Sequence, residues 1–283
     1  MTEKGSFKSA ASKAGYALKS AFAFAGRQFV SALYPEDKTC DICLDELVSE
    51  SRYRLCAKCI EALPYVGKRI CLECGMPIEG EGDYCLRCQQ DEPRHYKLNR
   101  SPFVYDAGAK SLIYQLKFAH KKYIAETLGA FMADEFLNEV MQADIAVFVP
   151  MTSAETAKRG YNQSELIASD VARRLNMPLL PALIKVKDTP QQKGLGKEDR
   201  AKNLDGAFRC VFSQVKGRRL LLIDDVFTTG ATANECAKTL IKAGAKEVSV
   251  LTAAITKRKL PVEAPNDVTE DVKKVKKGKG KNK

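Results

Sequence analysis

Apolar and polar residues along the chain alternate in two distinct rhythms. "DIAVFVPM" (144–151), "LLPALIKV" (179–186), "RRLLLID" (218–224) and "KEVSVLTAAIT" (246–256) are short aliphatic runs and predict buried strands. "NQSELIASDVARRL" (162–175) and "TANECAKTLIKAG" (232–244) carry helical spacing. Asn162 stands as a cap with Glu165 three residues on, and the second helix ends at a glycine. Strands separated by helical segments imply a parallel sheet, in which ligands bind beyond the carboxyl ends of the strands. The polar stretch 187–203 is long for a loop in such a domain, which points to function or disorder.

The ends differ from this body. Phe7, Ala11, Ala14, Leu18, Phe22, Ala25, Phe29 and Leu33 form a helical stripe over residues 1–35. It suits packing on the body or on a partner; membrane contact and organelle targeting are the alternatives. Residues 261–283 lack periodicity and predict a basic disordered tail. No apolar run is long enough to span a membrane.

Charge sharpens that division. Of the net +11, residues 1–35 carry +4 and residues 257–283 carry +6, which leaves +1 for residues 36–256. The folded part therefore has no broad basic face to grip nucleic acid by charge alone.

Eight of the ten cysteines lie in residues 36–92 as four Cys-x-x-Cys pairs: Cys40/Cys43, Cys56/Cys59, Cys71/Cys74 and Cys85/Cys88. Each pair lets two thiolates face one tetrahedral ion, so eight make two structural zinc sites. Sequential pairing resembles a double zinc ribbon, and cross-braced pairing fits the same spacing. Four-cysteine sites have no open position, so no zinc chemistry is expected. Metal-binding thiols fit a reducing cytoplasm better than a disulfide framework does. A charged linker, "QQDEPRHYKLNRSP", leads to a second domain expected at 103–260.

The chemistry concentrates in "LLIDDVFTTGAT" (221–232), where two acids close a strand and small residues open a helix. A helix N-terminus offers free amides to a phosphate, and carboxylates accept well from vicinal hydroxyls. It is neither a nucleotide P-loop nor a dinucleotide fingerprint.

This stretch resembles the phosphoribosyl pyrophosphate (PRPP) motif of type I phosphoribosyltransferases. The resemblance implies that Asp224 and Asp225 hold the ribose hydroxyls. Thr228, Thr229, Gly230, Ala231 and Thr232 would take the 5′-phosphate. With "SLIYQLKFAHKKYIAETLGAFMA", "VPMTSAETAKRGYNQSELIA" and "DRAKNLDGAF", the chain resembles the ComF family, including its GntX-type members, over about residues 34–256. That implies an α/β fold: a type I phosphoribosyltransferase-like parallel sheet flanked by helices, preceded by a small double zinc ribbon. It also implies magnesium with PRPP, two structural zinc ions, a cytoplasmic setting, and a link to natural competence and DNA use. Lys117 matches a family position in "QLKF". Thr189, Gln192, Arg200 and Asn203 match positions in the family's mobile segment.

One segment departs from the family pattern. Family members carry several arginines in the loop after the "VP" of the 144–151 strand, and the loop read here, "MTSAETAK" (151–158), carries none, leaving Lys158 and Arg159. A departing pyrophosphate is stabilised mainly by charge, so Arg159 is the catalytic cation available. Two readings follow: a transferase acting through Asp224, Asp225 and Arg159 on an unidentified acceptor, or a non-catalytic PRPP-binding adaptor that contacts single-stranded DNA or a competence helicase.

Overall fold

The computed structural model describes residues 39–47, 51–78, 80–90, 94–187 and 204–257. The N-terminal stripe, most of the 187–203 segment and the basic tail lie outside the described residues. Two short helices in the cysteine region are α1 (Ala57–Glu61) and α2 (Leu86–Gln90). Then follow β1 (Asn99–Arg100), β2 (Phe103–Val104), α3 (Ala107–Phe118), α4 (Ile124–Asn138) and β3 (Ile145–Phe148). Next come α5 (Ser153–Arg159), α6 (Gln163–Arg174), β4 (Leu183–Lys185) and β5 (Phe208–Cys210). β6 (Arg219–Phe227), α7 (Ala231–Lys242) and β7 (Glu247–Ile255) complete the fold.

The main sheet is parallel, in the order β1, β7, β6, β3, and β2 continues the edge that β1 begins along β7. β6 and β7 are covered on both faces, which is why they read as unbroken apolar runs. Leu221, Ile223, Leu251 and Ala253 point into one core with α3, α4 and α6. Leu220, Leu222, Val248 and Val250 point into the other, with Ala233, Cys236, Ala237 and Leu240 of α7. A three-layer sandwich results.

The cysteine module joins both cores. Cys40, Leu55 and Leu63 belong to the α3/α4/α6 side, whereas Cys71, Cys74 and Tyr96 belong to the α7 side. Tyr53 stacks on Phe131 of α4 at 4.0 Å between ring centres. The chain at 64–66 bonds to β2, through Val104 N–H to the Pro64 carbonyl (2.7 Å) and Val66 N–H to the Pro102 carbonyl (2.9 Å).

Three expectations need revision. First, 179–186 is not a full strand of the parallel sheet. Leu179 makes a single parallel bridge to Ala146, and β4 then pairs antiparallel with β5 in a separate sheet. The Ala182 amide, which would carry that ladder on, bonds back across Pro181 to the Leu180 carbonyl at 2.8 Å instead. Second, residues 94–102, read as linker, contain the edge strand β1. Its residues and the one that follows are buried but polar: Asn99, Arg100 and Ser101 are under 10% exposed. They are satisfied by the Cys74 carbonyl (3.0 Å), Glu139 (2.6 Å) and the Thr252 hydroxyl (2.6 Å), respectively. Third, the 151–158 segment is a helix, α5, started by a capping box between Thr152 and Glu155.

Gly75 shows how tightly the second ribbon sits on this edge. Its φ is +71°, and a Cβ there would lie 2.6 Å from the Asn99 carbonyl oxygen. Gly75→Ala is expected to cost roughly 1–3 kcal/mol, because it combines left-handed strain with a backbone clash. Equilibrium denaturant unfolding measures this directly, and a variant as stable as the parent would contradict the packing.

Candidate functional site

β3 ends at Phe148, which pairs with Ile223, so β6 runs on past its neighbour. The next two residues are Asp224 and Asp225. Alternation along the strand sends their side chains to opposite faces. The Asp224 carboxylate accepts from the Ser164 hydroxyl at 2.7 Å and from the Asp225 amide at 2.9 Å, both on Oδ1. Asp225 accepts from Lys117 Nζ at 2.8 Å on Oδ1. Asp225 Oδ2 is buried and has no hydrogen-bond partner. Burial first, and then the adjacent Asp225 charge, pushes the Asp224 carboxyl up to about 7. Two acids held this way are poor stabilisers of the fold and good acceptors for a ligand.

The small-residue loop lies directly beyond. Gly230 takes φ +76° and opens α7 with no side-chain cap. A Cβ there would sit 2.6 Å from Cζ of Phe227, so position 230 is restricted to glycine twice over. The helical ladder starts with Asn234 N–H on the Gly230 carbonyl at 2.8 Å. The amides of Ala231, Thr232 and Ala233 precede that bond, and Thr229 Oγ1 accepts from the first of them at 3.3 Å. Thr228 is exposed; Thr229, Ala231 and Thr232 are partly so. An uncapped, positively polarised helix end with hydroxyls around it suits an anion.

The stretch Arg159–Ser164 fastens this frame. Gly160, at φ +84°, ends α5. The Tyr161 hydroxyl donates to the Leu116 carbonyl, next to Lys117. Asn162 donates to the Val149 carbonyl at 3.0 Å and caps α6 through the Ser164 amide. Asn162 was legible as a cap. Ser164, which contacts Asp224, was missed, and its one signal was its place in the first turn of a helix that follows a strand end.

Arg159 is turned to neighbours of its own. Its guanidinium donates to Gln163 and lies 5.7 Å from the ring centre of Phe118. Glu155 pairs with Lys185 at 3.1 Å. Lys117, a half-buried residue of α3, is the cation that reaches the acid pair among the described residues. Thr189, Gln192, Arg200 and Asn203 lie outside the described residues.

The cysteines form two clusters, Cys40/Cys43/Cys56/Cys59 and Cys71/Cys74/Cys85/Cys88, with all sulfurs in each within 4.8 Å of one another. The pairing is thus sequential and not cross-braced. Around a zinc with Zn–S of about 2.3 Å, tetrahedral sulfurs are about 3.8 Å apart. Cys43–Cys56 and Cys74–Cys85 are both 3.7 Å, and Cys85–Cys88 is 3.5 Å. Both clusters suit a structural zinc ion.

Comparison with known proteins agrees with these two parts. The double zinc ribbon domain model matches residues 29–89, and the phosphoribosyl transferase domain model matches residues 162–280. The fold and site thus define a phosphoribosyltransferase-like domain carrying a double zinc ribbon.

The chain belongs to the ComF family. It is 32% identical over 203 residues to Competence protein F of Haemophilus influenzae, covering 69% of this chain and 86% of that protein. DNA utilization protein YhgH of Escherichia coli is 32% identical over 202 residues, 69% of this chain and 88% of its own. Competence protein ComFC of Bacillus subtilis is 28% identical over 204 residues, 68% and 79% respectively. Among the described residues, no helix is long and apolar enough to cross a membrane.

The raised Asp224 carboxyl has a thermodynamic consequence. A carboxyl with a higher pKa in the folded state than in the unfolded state opposes folding increasingly as pH rises from about 4 to about 7. Asp224→Asn keeps an acceptor for Ser164 and removes the charge. It is expected to raise stability by on the order of 1–3 kcal/mol at pH 8 and by little at pH 4. Denaturant unfolding at the two pH values tests this, and an equal effect at both would contradict it.

Proposed function

We propose that the site binds the ribose 5-phosphate end of PRPP or a closely related sugar phosphate. The observation that carries this is the buried Asp225 Oδ2 without a partner, beside Asp224, at the end of the strand that leads into the uncapped N-terminus of α7. Vicinal hydroxyls donate, and this pair of acids can only accept when ionised. The 5′-phosphate would take the amides that open α7 and the hydroxyls of Thr228, Thr229 and Thr232. Lys117 neutralises part of the acid charge and keeps Asp225 oriented. In a phosphoribosyl transfer, a nucleophile would attack C1 as the C1–oxygen bond breaks and its electron pair leaves with pyrophosphate. Asp224 and Asp225 would position the sugar in that step rather than move a proton. Magnesium brought with PRPP would neutralise pyrophosphate charge; the free Asp225 oxygen suits a hydroxyl or a magnesium-bound water.

A second reading is binding without turnover. Arg159 is engaged by Gln163 and Phe118, and α5 adds only Lys158 as a further cation. That leaves little charge for a departing pyrophosphate. On this reading the protein is a PRPP-responsive adaptor in DNA use, contacting single-stranded DNA or a competence helicase in the cytoplasm. The names of its relatives, competence and DNA utilization proteins, support that setting.

Titration of PRPP with magnesium into the wild type and into Asp224→Asn/Asp225→Asn separates these ideas from none at all. Each lost charged hydrogen bond is worth about 1.5–3 kcal/mol, so affinity should fall by more than tenfold. Equal binding by both proteins would refute the site. Pyrophosphate release with a nucleobase panel then divides the readings: release supports transfer, and tight binding without release supports the adaptor.

A further inference from the structure

Three consecutive residues after the second ribbon touch three different parts of the molecule. Arg94 donates to the Cys88 sulfur at 2.6 Å and pairs with Glu73 at 2.8 Å, so it braces the second cysteine cluster. The His95 amide donates to the Asn234 side chain at 2.8 Å, in the first turn of α7. Tyr96, 4% exposed, sets its ring edge-on against Phe227 at 6.0 Å. Phe227 is the residue whose ring lies under Gly230. The cluster, the ring beneath the loop and the first turn of the helix are therefore joined by a segment three residues long. Cys71, Cys74, Tyr96, Phe227 and Ala233 also share one core, whereas the first cluster packs in the other.

We propose that the second zinc cluster positions the anion-binding loop 228–232 through Arg94, His95 and Tyr96, and that the first cluster does not. In the phosphate-binding function this rests on the reading given above for that loop. The physical basis is pre-organisation. Gly230 can visit many backbone conformations in a free chain, and here it is held at φ +76° directly above the Phe227 ring. Tyr96 limits where Phe227 can move, and the His95–Asn234 bond fixes the turn that presents the amides. Zinc in the second cluster would fix Cys88 and so the start of this segment. Arg94, His95 and Tyr96 are positioning residues and touch no ligand themselves.

The test uses the full-length protein and reads amide hydrogen exchange at 228–234, zinc content and PRPP affinity. Tyr96→Leu removes the ring contact and should keep both zinc ions. An aromatic pair contributes about 0.5–1.5 kcal/mol, so exchange at 228–234 should rise, and PRPP affinity fall, by about threefold to tenfold. Tyr96→Phe should restore both to near the parent values. Cys88→Ser should lose one zinc ion and accelerate exchange at 228–234; Cys43→Ser should lose one zinc ion and leave that loop unchanged. Unchanged exchange in Tyr96→Leu, or equal effects of Cys43→Ser and Cys88→Ser on the loop, would overturn the proposal. Failure of the wild type to bind PRPP would refute the ligand reading alone, because the exchange measurements decide the coupling without ligand.

Discussion

The constraint on which this structure turns is a pair of adjacent carboxylates at the end of its central strand. One of them receives a serine hydroxyl and a backbone amide, the other a lysine, and one buried oxygen receives nothing. Such an arrangement opposes folding by itself, so the surroundings must hold it. β6 is anchored on both sides by parallel neighbours and in two cores. Ser164 is fixed because Asn162 ties the start of α6 to the end of β3. Lys117 is fixed because Tyr161 bonds to the carbonyl of the preceding residue. The stability of the sandwich thus sustains a locally unfavourable group.

The sandwich itself was largely legible in the sequence, and the reasons are physical. β6 and β7 are buried on both faces, so they appear as uninterrupted aliphatic runs. α6 and α7 have one face toward a core and carry helical spacing. The cysteine spacing was legible because four such pairs have few other uses, although pairing became clear only from the folded positions. Edge strand β1 was not legible. Asn99, Arg100 and Ser101 are buried through specific hydrogen bonds, and burial by hydrogen bonding leaves no hydrophobic signature. α5 was hidden for a different reason: a short, mostly polar helix held by its cap has no apolar stripe. In the site, the acids and the small-residue loop could be read directly. Ser164 and the engagement of Arg159 could not, because each depends on two elements that meet only after folding.

The ribbons occupy the edge of the sheet that would otherwise lie open. Residues 64–66 bond to β2, and the second knuckle lies against β1 through the Glu73 carbonyl, which accepts from the Asn99 amide at 2.8 Å. An exposed strand edge invites pairing with other chains, and covering it is one of the recognised remedies. A small module that cannot build much of a core alone gains one by dividing itself between the two cores of its neighbour.

The pairing of β1 with β7 also bears on how the chain is made. Ser101, just past β1, is bonded to Thr252 of β7, and the two are 151 residues apart. A ribosome delivers the first long before the second, and contacts so distant in sequence form late. During that interval the edge residues have no β-sheet to join. The ribbons, however, emerge earlier than β1. Until β7 is made, they are the part of this chain that can lie against that edge, as they do in the folded protein.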